Sequence, residues 1–166
     1  MDIKQTPIVL FFMYICLLLA LMIIDHKALV LGTFSTPLLV ISLVFNLYYL
    51  YTLRQNIKYI PIKRTFFILF GLNMSFLILD KLVNMYIVYY HDLNVLTDLV
   101  NTEIQSTEAE LKQMNAVSNM TQEEVEHIVL NRYSLNSLLI SLLMTIPFVA
   151  IFVIVETLAF VRRQKY

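Results

Sequence analysis

An all-α membrane protein, with four transmembrane helices and an amphipathic helical hairpin outside, is the fold class predicted by three features of this 166-residue chain. Hydrophobic residues make up 59% and charged residues only 14%, with a mean hydropathy of +0.73. A water-soluble fold of one domain could not hide so much apolar surface, so the bilayer is its expected solvent. The apolar residues fall into four runs near the length needed to cross it. Charge, which sums to zero, is segregated along the chain.

The first span is predicted at about 7–24 and ends at Asp25, His26 and Lys27. With Lys4 as its one basic neighbour and no small-residue cleavage site after it, this run reads as an uncleaved span and not a signal peptide. Cys16 lies within it and reads as a small buried hydrophobe. A short loop around Gly32 and Thr33 leads to the second span, about 37–53, which ends in Tyr48, Tyr49 and Tyr51. The third span runs from about 65 to 90, between Phe66-Phe67 and Tyr89-Tyr90, and the fourth from about 138 to 160, with Pro147 inside it. Aromatic residues at span ends suit the membrane–water interface.

The segment 54–64 carries four bases and no acid, and the chain closes with Arg162, Arg163 and Lys165. The segment 91–135 carries eight acids against Lys112 and Arg132. The positive-inside rule then puts both termini and the basic loop in the cytoplasm and the acidic segment outside, which requires an even number of spans.

That outer segment is patterned. Leu93, Leu96, Val100, Ile104, Leu111 and Met114 recur at threes and fours, broken only at Thr107, as one face of an amphipathic helix does. Residues 115–119 supply turn-type side chains. Thr121-Gln122-Glu123-Glu124 is a capping box, with Met120 and Val125 placed for the hydrophobic staple. Val125, Ile128 and Val129 continue an apolar stripe towards the fourth span. Two such helices bury little by themselves. They must pack on each other or dock on another protein or the membrane surface.

Intramembrane polar residues are the candidate site. Asp80 and Lys81 fall in the outer third of the third span, where a charge costs up to about 2.5–3.5 kcal/mol at the helix centre and less near an interface. Asn84 lies one turn on and Asn73 two turns back, a possible proton or ion relay. The plainer alternative is that Lys81 snorkels outward while Asp80 pairs with it or with a neighbouring helix. Glu156 is placed for an interfacial salt bridge with Arg162 and Arg163, with a coupling-ion site as the alternative. Asn46 is expected to make an interhelical hydrogen bond. Gly71 and Ser75, like Ser137 and Ser141, form small-xxx-small pairs that permit close helix approach.

Catalytic signatures are missing. His26, His91 and His127 fall at or beyond the outer surface without metal-ligand spacing, and no phosphate loop or nucleophile elbow occurs. No cofactor is expected. The basic loop is explained by topology and anionic lipid, so nucleic acid is not a predicted partner.

Several stretches resemble a known group: Arg54-Gln55-Asn56 leading to Lys63-Arg64-Thr65-Phe66, then Met85-Tyr86-Ile87-Val88-Tyr89-Tyr90. Met120 to Glu126, Ile146-Pro147 and Arg162-Arg163 also fit. The pattern, from Leu38 onward, resembles the four-helix inner-membrane proteins common in Bacteroidetes that form a domain-of-unknown-function family. That resemblance implies a bacterial inner-membrane location and no particular activity. The residues themselves lead to a non-enzymatic subunit or accessory factor of a larger membrane complex, docking through the outer hairpin. Its expected partners are the lipid bilayer and other membrane subunits or further copies of itself. The alternative is a small oligomeric transporter or ion or proton channel using Asp80 and Lys81.

Overall fold

A computed structural model describes residues 5–56, 61–113 and 121–162, with backbone alone at 93, 107–113 and 161–162. These form α1 (Thr6–Val30), α2 (Ser35–Asn56), α3 (Ile62–Tyr86), α4 (Leu93–Gln113), α5 (Gln122–Arg132) and α6 (Leu135–Arg162). Among the described residues there is no strand. Four helical stretches are long and apolar enough to cross a membrane: Thr6–Val30, Ser35–Asn56, Ile62–His91 and Leu135–Phe160. The predicted turn at 115–119, Met120 of the staple, the side chains of Leu93, Leu111 and Met114, and those of Arg162 and Arg163 lie outside the description.

Helix α3 is the centre of the bundle, packed most extensively on α6 and then on α1. Each helix offers a stripe at helical spacing: Leu10, Tyr14 and Leu18 on α1, Tyr49, Leu50 and Leu53 on α2, Leu69, Leu72 and Phe76 on α3, Val149 and Val153 on α6. Tyr14 stacks on Phe76 with ring centroids 4.1 Å apart. The outward faces are equally apolar: Ile23 is 84% exposed, Phe148 72% and Leu143 67%. A surface of that composition suits hydrocarbon and would be a broad sticky patch in water. Cys16 is exposed on this outer face, not buried as its composition suggested. Gly71 also faces open space, so its small side chain serves no close helix approach within the chain.

The first span does not end at Ile24 as predicted. Asp25 leaves helical geometry (φ −156°, ψ 85°) and the helix then resumes to Val30. The Asp25 carboxylate accepts from the Ala28 amide at 2.9 Å, which gives the new turn a cap. This extra turn carries His26 and Lys27 towards α4. Gly32, at φ +80°, then reverses the chain into α2, a conformation that a side chain would strain.

At its far end α3 loosens into one π turn, Ile87–His91, closed by the Asp92 amide donating to the Ile87 carbonyl at 3.3 Å. Asp92 then does two things. One carboxylate oxygen accepts from the Asn94 amide at 2.9 Å and caps α4. The other meets His26 Nε2 at 2.9 Å, tying α4 to α1. Lys27 Nζ adds a second tie to Asp98 at 2.6 Å.

Helices α4 and α5 pack on each other through Val100, Val125 and Val129, flanked by Leu96, Leu99 and Ile104. Leu96, Leu99 and Tyr133 also touch the bundle core, so the two apolar clusters are continuous. Ile128, predicted on the same stripe, points outward instead, because its neighbours Val125 and Val129 already occupy the shared face. Helix α4 runs through Thr107 without a break. Arg132 grips Glu103 with both guanidinium nitrogens, one of them at 2.8 Å. The capping box at the start of α5 is formed: the Glu124 amide donates to Thr121 Oγ1 at 3.3 Å and Thr121 N–H to Glu124 Oε2 at 2.8 Å.

The His26 side chain and the Asn94 amide, by hydrogen bonding to the Asp92 carboxylate, hold its pKa below the ordinary range. A depressed carboxylate pKa contributes stability that is complete above its unfolded value of about 3.9 and lost as the pH falls through the folded value. Amide protection in the first turn of α4, taken relative to the intrinsic exchange rate at each pH, should therefore fall as the pH drops below about 4 in the native chain. An Asp92→Asn variant should lack that acid-induced component.

Candidate functional site

The buried polar side chains of the bundle come from three helices and meet at one place. Asn46 shares the inward face of α2 with Tyr49, Leu50 and Leu53 and is fully buried. Asn73 sits one turn beyond Leu69 on α3 and is 7% exposed. Glu156 follows Val149 and Val153 on the inner face of α6 and is 8% exposed. Their burial follows from the helical period: each replaces an apolar side chain on a stripe that already faces inward.

The three are joined directly. Asn46 Nδ2 donates to Glu156 Oε2 at 2.9 Å and lies 3.3 Å from Asn73 Oδ1. Asn73 Nδ2 donates to Asn46 Oδ1 at 3.2 Å and to the Leu69 carbonyl at 2.7 Å. Ser42 Oγ donates to Asn73 Oδ1 at 2.8 Å. Glu156 Oε1 is buried with no hydrogen-bond partner, and so is Thr157 Oγ1. The network can thus accept one more donor, or a proton, at Glu156 Oε1. Its hydrogen bonds also tie α2, α3 and α6 together inside the bundle.

This arrangement bears on two readings from sequence. The predicted interfacial bridge to Arg162 and Arg163 falls on side chains outside the described residues, while Glu156 is bonded to Asn46 and turned into the bundle. The inward register of α6 decides that: Glu156 lies three residues after buried Val153. Asn73 belongs to this network and not with Asp80, which lies seven residues further along α3.

Asp80, Lys81 and Asn84 do come together, around a separate cavity of about 280 Å³. It lies where the end of α1, the start of α2, the second half of α3 and the start of α6 converge, with Ser134, Ser137 and Ser141 on the α6 side. Asp80 is half-buried and Lys81 exposed. Neither makes a hydrogen bond or a contact-distance ion pair among the described residues, and both line the cavity wall. Asn84 Oδ1 is buried and unpartnered.

The three histidines lie elsewhere. His26 and His91 sit ring edge to ring face, 5.0 Å apart, beside Asp92, and His127 Nδ1 lies 3.0 Å from Asn131 on exposed α5. Among the described residues no three His, Cys, Asp or Glu side chains converge so as to hold a metal ion. Sequence reasoning missed Ser42 altogether, and it named Asn46 without its partners. The available signal was polarity at an inward position of an otherwise apolar stripe. Set against known proteins, the chain matches no family model, no curated protein and no solved structure.

Replacing Asn46 with Leu removes the hydrogen bond to Glu156 and leaves its carboxyl buried without one, at a cost of about 1–3 kcal/mol. Adding Glu156→Leu removes the stranded group and should restore part of that loss. Thermal unfolding in one detergent measures both. Two losses that simply add would mean that the network contributes nothing as a unit.

Proposed function

We propose that this chain is a non-enzymatic multi-pass protein of a bacterial inner membrane, a subunit or accessory factor of a larger membrane complex. Both termini lie in the cytoplasm and the α4–α5 pair lies outside as the contact element. The observation that carries this reading is the construction of that pair. Val100, Val125 and Val129 of its apolar stripe are buried between the two helices, and Leu96 and Leu99 also pack against the bundle. The His26–Asp92 and Lys27–Asp98 contacts fix it to α1. Glu123, Glu124 and Glu126 are left exposed on its outer surface. A braced acidic platform of this kind suits a partner with a basic surface, steered in by charge and orientation.

The segregation of bases to 54–64 and of acids to 91–135 supports the orientation. The resemblance to the four-helix inner-membrane family supports the location. A second reading, a small oligomeric transporter or ion channel through Asp80 and Lys81, has the cavity between the helices in its favour.

Purification of the tagged chain from its native host in several mild detergents, followed by mass spectrometry, separates the two. A stoichiometric membrane companion is the expected result. Its retention should fall when Glu123 and Glu126 are changed to Gln. A homogeneous oligomer of this chain alone would count against the accessory reading and move weight to the transporter.

A further inference from the structure

The cavity between α1, α2, α3 and α6 is lined by Asp80 and Lys81, neither of which makes an ion pair among the described residues. Asp80 and Lys81 are neighbours in sequence, so their side chains leave α3 about 100° apart. Both nevertheless line the same space. Both residues thus border the cavity without closing on each other in an ion pair. Asn84, one turn beyond Asp80, adds a buried carbonyl oxygen with no donor.

The opposite wall supplies hydroxyls. Ser134 donates to the Asn131 carbonyl at 2.7 Å and accepts from the Ser137 amide at 3.2 Å, while Ser141 donates to the Leu138 carbonyl at 2.9 Å and keeps its oxygen as an acceptor. The Ser137 hydroxyl has no hydrogen-bond partner among the described residues and remains free to donate. Leu29, Leu38 and Leu138 add apolar wall, and Arg132, the other charged residue of the lining, is already paired with Glu103. A volume of about 280 Å³ is at the lower limit for small-molecule pockets, so the occupant is small.

We propose that this cavity binds a small zwitterion carrying a primary ammonium and a phosphate or carboxylate. The ammonium sits against the Asp80 carboxylate and Asn84 Oδ1, and the anion against Lys81 Nζ and the Ser137 hydroxyl. Such a ligand satisfies each of these groups at once, whereas a simple cation leaves Lys81 repelled and a simple anion does the same to Asp80. Two sources share this chemistry: an ethanolamine phospholipid headgroup entering from the bilayer, and a free zwitterionic solute. The site is independent of the docking role of α4–α5.

The test uses the full chain in nanodiscs of phosphatidylglycerol, with or without phosphatidylethanolamine, read by native mass spectrometry and thermal unfolding. Phosphoethanolamine and glycine are titrated separately into the discs that contain only phosphatidylglycerol. Retention of phosphatidylethanolamine with a raised unfolding temperature identifies the lipid source. A saturable rise with phosphoethanolamine or glycine identifies the free solute. In either case Asp80→Asn and Lys81→Met should each weaken binding by about tenfold or more, as loss of a charged hydrogen-bond partner does. Ser137→Leu, which fills the cavity without touching a charge, should abolish binding while helical content is unchanged. A wild-type chain that gains nothing from any of the three probes overturns the proposal. A gain that survives Ser137→Leu overturns it as well.

Discussion

The exterior of the four long helices is apolar enough for a bilayer, and in a bilayer a polar group would have no water to turn to. Every other feature of the molecule follows from where its polar side chains find partners. Backbone groups are satisfied by the helices themselves. Side chains have three resorts: the ends of the spans, one another, or a shared cavity. Asn46, Asn73, Ser42 and Glu156 use one another. Asp80, Lys81 and Asn84 use the cavity. His26, Lys27, Asp92 and Asp98 use the rim, where they also join bundle and headpiece.

That rim shows how two local irregularities serve a long-range contact. The break at Asp25 adds a turn to α1 that lifts His26 and Lys27 towards α4. The π turn at Ile87–His91 shifts the exit of α3 so that Asp92 can cap α4 and receive His26 together. Tyr89, on the same π turn, donates to the Leu130 carbonyl at 3.1 Å and reaches the end of α5. With Leu96, Leu99 and Tyr133 shared between the two apolar clusters, the headpiece is an extension of the bundle core and not a tethered loop.

The four long helices were legible because hydropathy is summed over some twenty residues and tolerates single exceptions. The Thr121–Glu124 cap was legible because its chemistry is contained in four residues. What stayed hidden depends on distant parts of the chain. Glu156 lies 110 residues from Asn46, and its sequence neighbours Arg162 and Arg163 suggested a different partner. Asn73 was grouped with Asp80 along α3, yet the two face different neighbours. Asp25 was read as a stop because a charge ends an apolar run; its use as a cap for one more turn needs the Ala28 amide in place. The serines of α6 suggested helix contact, and their place on a cavity wall was not foreseen.

The central claim is the orientation of a membrane-embedded bundle that carries its acidic headpiece outside. Single-cysteine accessibility in intact cells tests it most directly, in a Cys16→Ser background with a cysteine at Glu126 or at Gln55. The account predicts that a membrane-impermeant maleimide labels the Glu126 position from outside, and the Gln55 position only after permeabilisation. Labelling in the reverse order, or at both positions in intact cells, would contradict it.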